Sequence, residues 1–582
     1  MFDKQSLKRV AAPLIALALV ACASASAPDT EAPPLTRGEA MVAAANPHAV
    51  NAALRILDEG GNAVDAAIAA ELVLGLVEPQ SSGIGGGGFM MLYNGHSETI
   101  TAYDGRERAP AGASPTMFLD NRGRPLPFMD AHASGRSIGA PSLVAMLKMA
   151  HDENGRLPWA QLFAPAIELA ETGFEVSPRL ARLIAGYGER GRLRADFAAR
   201  AYFFDAAGAP RPVGYLLRNP DYARTLRAIA ERGPSALSEG PIADAIVGAA
   251  QANPRRGTLT HDDLRAVTPS RIEPVCAMFR VYRACTVGSP SSGNATLAIL
   301  GLYQRARPTP RGADNADDWS AFLWASRLAY ADRDHYMADA QFAPIPTLEL
   351  IAPQYLDQRA QQIDLAHAPT QVLPGLPMGQ ELYDRWGNAF SDDSGTSHIS
   401  IVDAWGNAVS MTATVESAFG AQRMVAGFFL NNQLTDFAFE PTLNGRPVAN
   451  AIEPGKAPRS SMSPMIVTDR NGELVLVVGS PGGSSIIGYV ARATIGILDW
   501  GLSPQQAIDL SNATARTSPV VIEPARMPAG IADALTARGW QLREVGAMED
   551  SGIHAIRVTP QGLVGGADPR REGIVGHIAP TP

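Results

Sequence analysis

Asp393-Ser394-Gly395-Thr396-Ser397-His398-Ile399-Ser400-Ile401-Val402-Asp403 passes from a polar, glycine-containing loop straight into an alternating apolar segment, with Thr396 at the junction. Asp403-Ala404-Trp405-Gly406-Asn407 has turn composition, and Ala408 to Val415 alternates again. The stretch therefore predicts two strands joined by a tight turn. Pairing Val402 with Val409 across that turn brings Thr414 back beside Thr396. A hydroxyl at the head of a strand, with a second hydroxyl delivered next to it, is the arrangement of a nucleophile and its orienting partner. Threonine also favours strands for packing reasons, and alone the stretch reads more readily as a threonine-rich strand.

The remainder of the chain bounds that choice. At 582 residues it is too long for one small core and implies two to four domains or one large multilayer domain. A hydrophobic fraction of 46% and a charged fraction of 18% are those of an ordinary globular protein. A net charge of -9 with no basic block excludes nucleic acid as the main partner, because phosphate neutralisation needs clustered Lys and Arg. Cys276 and Cys285 flank a predicted hairpin that turns near Arg280. Facing positions suit a disulfide in an oxidising compartment, and two free buried thiols suit them equally. No Cys/His cluster has metal-ligand spacing, so neither a metal nor a cofactor is expected.

Residues 1–21 have the form of a signal peptide: Lys4, Lys8 and Arg9 precede an apolar run, Val10 to Val20, too short to span a bilayer. Leu19-Val20-Ala21-Cys22 resembles a bacterial lipobox, in which Cys22 would be acylated and anchor the protein to a membrane; the alternative is cleavage at the Ala-x-Ala sites around Ala23 to Ala27. Either way the mature chain is expected to be exported to the periplasm, with residues 22–36 as a tether. Two helices follow, the first capped by Asn46 and ended by Gly60-Gly61, the second capped by Asn62. The run Gly83 to Gly88 precedes a strand rather than opening a helix, so it signals close backbone packing and not a dinucleotide loop. Arg106, closing the next strand region, is a candidate anion clamp.

Helical apolar spacing then recurs at Ser142–His151, Pro158–Thr172, Pro178–Arg190, Pro220–Arg232 and Ile242–Ala252. Asp317 to Tyr336 reads as an amphipathic helix, and Asp332-Arg333-Asp334 at its end as a structural ion pair. Residues 340–394 are loop-rich. Gln433 and Asp436, three apart at the edge of an apolar segment, suit an ammonium group if they act as a pair and turn chemistry if they act singly. Residues 441–458 read as a loop leading to Ser460-Ser461-Met462-Ser463-Pro464. A buried-type strand, Leu474 to Gly479, runs into Ser480-Pro481-Gly482-Gly483-Ser484 and a helix; adjacent Gly N–H groups at a helix start suit a developing oxyanion. The tail predicts helices at Pro504–Asn512 and Met527–Arg538 and three short strands.

Gly60–Ala67, Gly83–Phe89, Asp104–Pro110, Pro290–Gly293, Gly395–Asp403, Asn431–Asp436, Ser460–Pro464 and Gly479–Ser484, in this order and with the tail Ala567–Arg571, resemble the γ-glutamyltranspeptidase family. The resemblance covers about residues 37 to 578. It implies an α+β, four-layer αββα N-terminal-nucleophile hydrolase whose precursor cuts itself at Gly395–Thr396 into a large piece (37–395) and a small piece (396–582) that stay together as a heterodimer. The freed α-amine of Thr396, with a pKa of about 8, would then serve as general base. Carried over by motif, Thr414 would hold the Thr396 hydroxyl and Gly482 and Gly483 would form the oxyanion hole. Arg106, Ser460 and Ser461 would take the α-carboxylate of a γ-glutamyl donor such as glutathione, and Gln433 and Asp436 its α-ammonium. The acyl group would pass to water or to an amino acid or peptide.

The chain departs from the family in places. Glu416 stands where many members have Asn near the substrate ammonium, and Asn294 replaces a second Gly in a turn. The loop from Phe437 to Arg459 is shorter than the lid of some members, implying a more open site. Two alternatives remain: a cephalosporin-acylase-like amidase of the same fold, and an exported binding lipoprotein that has lost catalysis.

Overall fold

A computed structural model describes residues 38–377 and 395–580. The leader, Cys22, and the polar segment Asp392-Asp393-Ser394 lie outside the described residues. Two sheets carry the architecture. The first has seven strands, in the order Ile574–Ile578, Ala40–Ala44, Gly395–Val402, Ala408–Glu416, Gly87–Asn94, Thr99–Gly105 and Ser270–Ile272. The second has six, in the order Gly562–Ala567, His554–Thr559, Leu474–Gly479, Met465–Thr468, Tyr282–Thr286 and Val275–Phe279. All pairings within both sheets are antiparallel.

The strand period of two sorts side chains into two cores. From Gly87–Asn94, Met90 and Leu92 enter one apolar cluster with the helices Pro47–Asp58 and Ala63–Val77, while Phe89, Met91 and Tyr93 enter another with the second sheet. The helices Gly293–Ala306, Ala316–Tyr336 and Ile486–Leu498 cover the second sheet's outer side. The result is helix, sheet, sheet, helix, the four-layer αββα arrangement. Side chains between the sheets are partly polar, and some bond across: Ser410 Oγ donates to Val478 O at 3.1 Å and Ser400 Oγ to His554 O at 3.1 Å.

Local chemistry explains the elements that frame the hairpin. Asn62 and Asp65 form a reciprocal capping box, and all residues of Ala63–Val77 are buried. Asp403 closes the hairpin turn, accepting from the N–H groups of Trp405 and Asn407, and its other oxygen accepts from Ala63 N at 2.9 Å. That bond ties the turn to the head of the buried helix. The Gly83–Gly88 run is close packing, as expected: a Cβ on Gly85 would strike Phe429 O, and one on Gly86 would strike Thr414 O.

Several expectations need correction. The hairpin register differs by one residue: Val402 faces Ala408, not Val409, which places Thr414 directly opposite Thr396. The predicted helix 158–172 is a 3-10 turn, Trp159–Phe163, followed by an α-helix, Ala164–Thr172, with Pro165 at its first turn. The helix Ala316–Tyr336 is not amphipathic: no residue in it is fully exposed, because it is enclosed by the second-sheet core and the tail. The loop 441–458 holds a small hairpin, Thr442–Leu443 with Arg446–Pro447. The tail has six strands rather than three, because short segments such as Val520–Ile522 pair with neighbours distant in sequence. Cys276 and Cys285 face each other across their hairpin and are disulfide-bonded.

Candidate active site

Thr396 lies second in the strand Gly395–Val402, at the end of the first sheet. Its Oγ1 is 3.0 Å from Thr414 Oγ1. Thr414 in turn donates to Gly395 O at 2.6 Å and accepts from Glu416 N at 2.8 Å. One hydroxyl proton cannot serve two acceptors, so with Thr414 donating to Gly395 O, the Thr396 hydroxyl donates to Thr414. The carbonyl of Thr396 accepts from Arg571 Nη1 at 2.7 Å, which pins the residue from behind. Buried, and with Arg179 nearby, Arg571 has its pKa lowered to about 9.

One pocket is lined by Thr396, Thr414, Arg106, Glu416, Gln433, Asp436, Ser460, Ser461 and Gly483. Its other lining residues are Arg333, Arg459, Met462, Ser484, Ile486 and Arg516. Gln433 and Asp436 share a 3-10 turn, and Gln433 Nε2 donates to Asp436 Oδ2 at 2.7 Å. The same oxygen accepts from Arg106 Nη2 at 2.6 Å. Arg106 also donates to the carbonyls of Pro458 and Arg459. Its Nη1 makes no hydrogen bond among the described residues and lies 3.8 Å from Glu107 Oε2. Burial pushes the Glu107 carboxyl up to about 8 despite Arg106, so near neutral pH the charge partner of the guanidinium is Asp436 rather than Glu107.

Glu416 sits at a bulge opposite Gly395 with φ of 81°, in the left-handed region. Its Oε2 accepts from Ser417 Oγ at 2.5 Å and from Asn432 Nδ2. Ser460 Oγ accepts from Met462 N at 3.1 Å, and Ser461 Oγ from Arg333 Nη2 at 2.6 Å. Gly482 and Gly483 have φ of 134° and 54°, and Gly483 opens the 3-10 turn that leads into the helix Ile486–Leu498. Gly483 borders the pocket with Thr396; Gly482 stands behind it, where a Cβ would meet the Tyr489 ring at 2.6 Å. His398 is no competitor as a base. It is held between Thr412 Oγ1 and Ser400 Oγ, and burial with His554 alongside lowers its pKa far below the usual range.

Sequence reasoning missed the arginines. Arg333 makes the ion pair expected at the end of its helix, with Asp334 at 2.8 Å, but it also reaches Ser461. Arg459 and Arg516 join it around Asp334. Against burial, which would raise it, Arg333, Arg516 and Arg459 hold the Asp334 carboxyl down to about 2. The only sequence signal was the adjacency of Arg459 to Ser460; partners more than a hundred residues apart leave no local pattern.

The family described as gamma-glutamyltranspeptidase matches residues 49–578. The glutathione hydrolase proenzyme of Pseudomonas aeruginosa is 36% identical over 550 residues, 92% of this chain and 93% of the relative. That of Escherichia coli is 34% identical over 599 residues, 98% of each. Among solved structures, a cephalosporin acylase from Bacillus halodurans is similar with a TM-score of 0.80 and 27% identity, covering 93% of this chain and 96% of that one. With the match running from the first helix to the last strand, and relatives above 30% identity along nearly the whole chain, the protein belongs to the gamma-glutamyltranspeptidase family and is an enzyme of that kind.

Proposed function

We propose that the protein is a self-cleaving γ-glutamyltransferase/hydrolase that opens γ-glutamyl amides, glutathione among them, through an ester on Thr396. The observation that carries the reading is the Thr396–Thr414 hydroxyl pair, 3.0 Å apart, in the same pocket as a carboxylate-ready cluster and an ammonium-ready one. In the precursor, Thr396 Oγ1 attacks the Gly395 carbonyl carbon. Thr414, already donating to that carbonyl oxygen, stabilises the oxyanion as it forms. The C–N bond breaks, the acyl group moves to the hydroxyl, and water hydrolyses the ester. This frees a carboxylate on Gly395 and the α-amine of Thr396, leaving a large piece that ends at Gly395 and a small one of residues 396–582.

In the mature enzyme that amine, with a pKa of about 8, takes the Thr396 hydroxyl proton as the oxygen attacks the donor's γ-carbonyl, and returns it to the leaving amine. Gly482 and Gly483 N–H groups face the oxyanion. Arg106, Ser460 and Ser461 hold the donor's α-carboxylate; Asp436, Gln433 and Glu416 hold its α-ammonium. Water or an incoming amine then takes the acyl group. The pairing of Arg106 with Asp436 in one pocket supports an α-amino-acid head group over the acyl group of a cephalosporin. The enzyme is exported by its leader, and Cys22 is the anchoring site.

Denaturing electrophoresis tests the reading. The purified protein runs as two bands; Thr396→Ala runs as one and releases no chromophore from a γ-glutamyl anilide. A Thr396→Ala protein that still splits at the same bond removes Thr396 as the nucleophile.

A further inference from the structure

Arg333 is buried at the end of the helix Ala316–Tyr336, and each of its three guanidinium nitrogens donates to an oxygen. Nη2 donates to Ser461 Oγ at 2.6 Å, Nε to Ser292 Oγ at 3.1 Å and Nη1 to Asp334 Oδ1 at 2.8 Å. Ser292 Oγ then donates its own proton to Ser460 O at 2.5 Å. Asp334 is held from the other side by Arg516, Nε to Oδ2 at 2.9 Å and Nη2 to Oδ1 at 3.2 Å. Arg333 thus grips both serines at the pocket's edge, one by its hydroxyl and the other through its carbonyl.

The chemistry of the donor decides what this does. A guanidinium has five N–H groups, no acceptor, and does not deprotonate. Ser461 Oγ must therefore accept from it, and the single Ser461 proton has to point elsewhere. Ser461 donates to no acceptor among the described residues, and the pocket is where its side chain opens. Ser460 Oγ likewise accepts from Met462 N, which leaves its proton for the pocket too. Two hydroxyls side by side, each with its proton free and one lone pair already taken, match the two oxygens of a carboxylate better than the single oxygen of a carboxamide.

We infer that Arg333 is a positioning residue that orients the Ser461 hydroxyl as a hydrogen-bond donor and, through Ser292, holds the backbone carrying Ser460, and so sets the enzyme's preference for a donor bearing a free α-carboxylate over its α-carboxamide. This rests on the placement of the donor's α-carboxylate at Ser460 and Ser461 proposed above. Arg333 lines the same pocket, and the role assigned to it is exerted through the serines it holds.

The test compares kcat/KM for a γ-glutamyl anilide and for the same anilide with its α-carboxylate converted to the primary amide. The wild-type enzyme prefers the carboxylate. Arg333→Met lowers that preference by about tenfold, through a higher KM for the carboxylate donor rather than a lower kcat, as expected for one lost hydrogen bond to a charged group. Ser461→Ala lowers it similarly, and adding Arg333→Met to Ser461→Ala lowers it little further. Should Arg333→Met fail to mature, Arg333→Lys, too short to hold Ser461, Ser292 and Asp334 together, gives a smaller fall of the same kind. A preference unchanged in Met or Lys variants, or a fall that persists undiminished in the Ser461→Ala background, overturns the role of Arg333 while leaving the proposed reaction standing. A wild-type enzyme indifferent to the α-carboxylate overturns the carboxylate placement itself, and this inference with it.

Discussion

Asp436 is where the pocket's charges meet, since one of its oxygens takes both the Arg106 guanidinium and the Gln433 amide. Asp436→Asn removes the negative charge that an ammonium would face and sets an amide against Arg106. Hydrogen bonds to charged groups contribute about 1.5–3 kcal/mol, so the variant should raise KM for a γ-glutamyl donor by roughly 10–100-fold. Self-cleavage should be unaffected, because Thr396, Thr414 and Gly395 make their contacts without Asp436. Steady-state kinetics beside an electrophoretic time course separate the two effects. Residue types at this scale were largely legible: Thr396, Thr414, Gln433, Asp436, Ser460, Ser461 and Gly483 line one pocket. Arg333 was not, because its meaning comes from Ser461, 128 residues away.

At the scale of the element, the hairpin's geometry depends on its neighbour. Gly86 presses its Cα against the carbonyl of Thr414, and Gly87 to Asn94 is the strand that pairs with Ala408–Glu416. Gly86→Ala puts a methyl where that carbonyl lies, and the strand end carrying Thr414 must move. Overpacking of this kind costs about 1–3 kcal/mol. We expect a lower denaturation midpoint together with slowed self-cleavage, since Thr414 is displaced from Gly395 O. A variant that is destabilised but cleaves at the wild-type rate breaks the link between the glycine run and the hydroxyl pair. The sequence revealed the strands and the glycine run by composition and periodicity. It missed the register by one residue, because the turn Asp403–Asn407 is set by which side-chain oxygen Asp403 offers to which N–H. It also took Ala316–Tyr336 for amphipathic, since polar residues such as Asp318 and Ser320 are buried there with partners that only the folded chain supplies.

For the whole molecule, buried acids set the response to pH. Burial, only partly offset by the Ser82 hydroxyl, pushes Glu71 up to about 8 from its ordinary 4.5, and Glu107 behaves alike. Between those limits the folded chain holds a proton that the unfolded chain has lost, so the contribution of these acids to stability falls as pH rises from about 5 to about 8, against the rise that the buried, neutral His398 and His554 contribute up to about pH 6.5. Glu71→Gln should flatten that fall. Urea midpoints of the uncut Thr396→Ala protein at pH 5 and pH 8, with and without Glu71→Gln, measure it; equal slopes in the two proteins refute the assignment. The layered class was visible in the order of the motifs, whereas the order of strands within the two main sheets was not, because each of them interleaves segments from before and after residue 395.

That mixing has a further consequence. Ala40–Ala44 is hydrogen-bonded between Gly395–Val402 and Ile574–Ile578, and Tyr282–Thr286 pairs with Met465–Thr468. A break before Thr396 therefore leaves two chains woven through each other's sheets, with no seam along which to part. Before the break, unfolding can be undone by one molecule alone; afterwards the way back needs an encounter between two strangers in dilute solution. Maturation thus converts a protein that can find its fold again into one that endures only for as long as it never lets go.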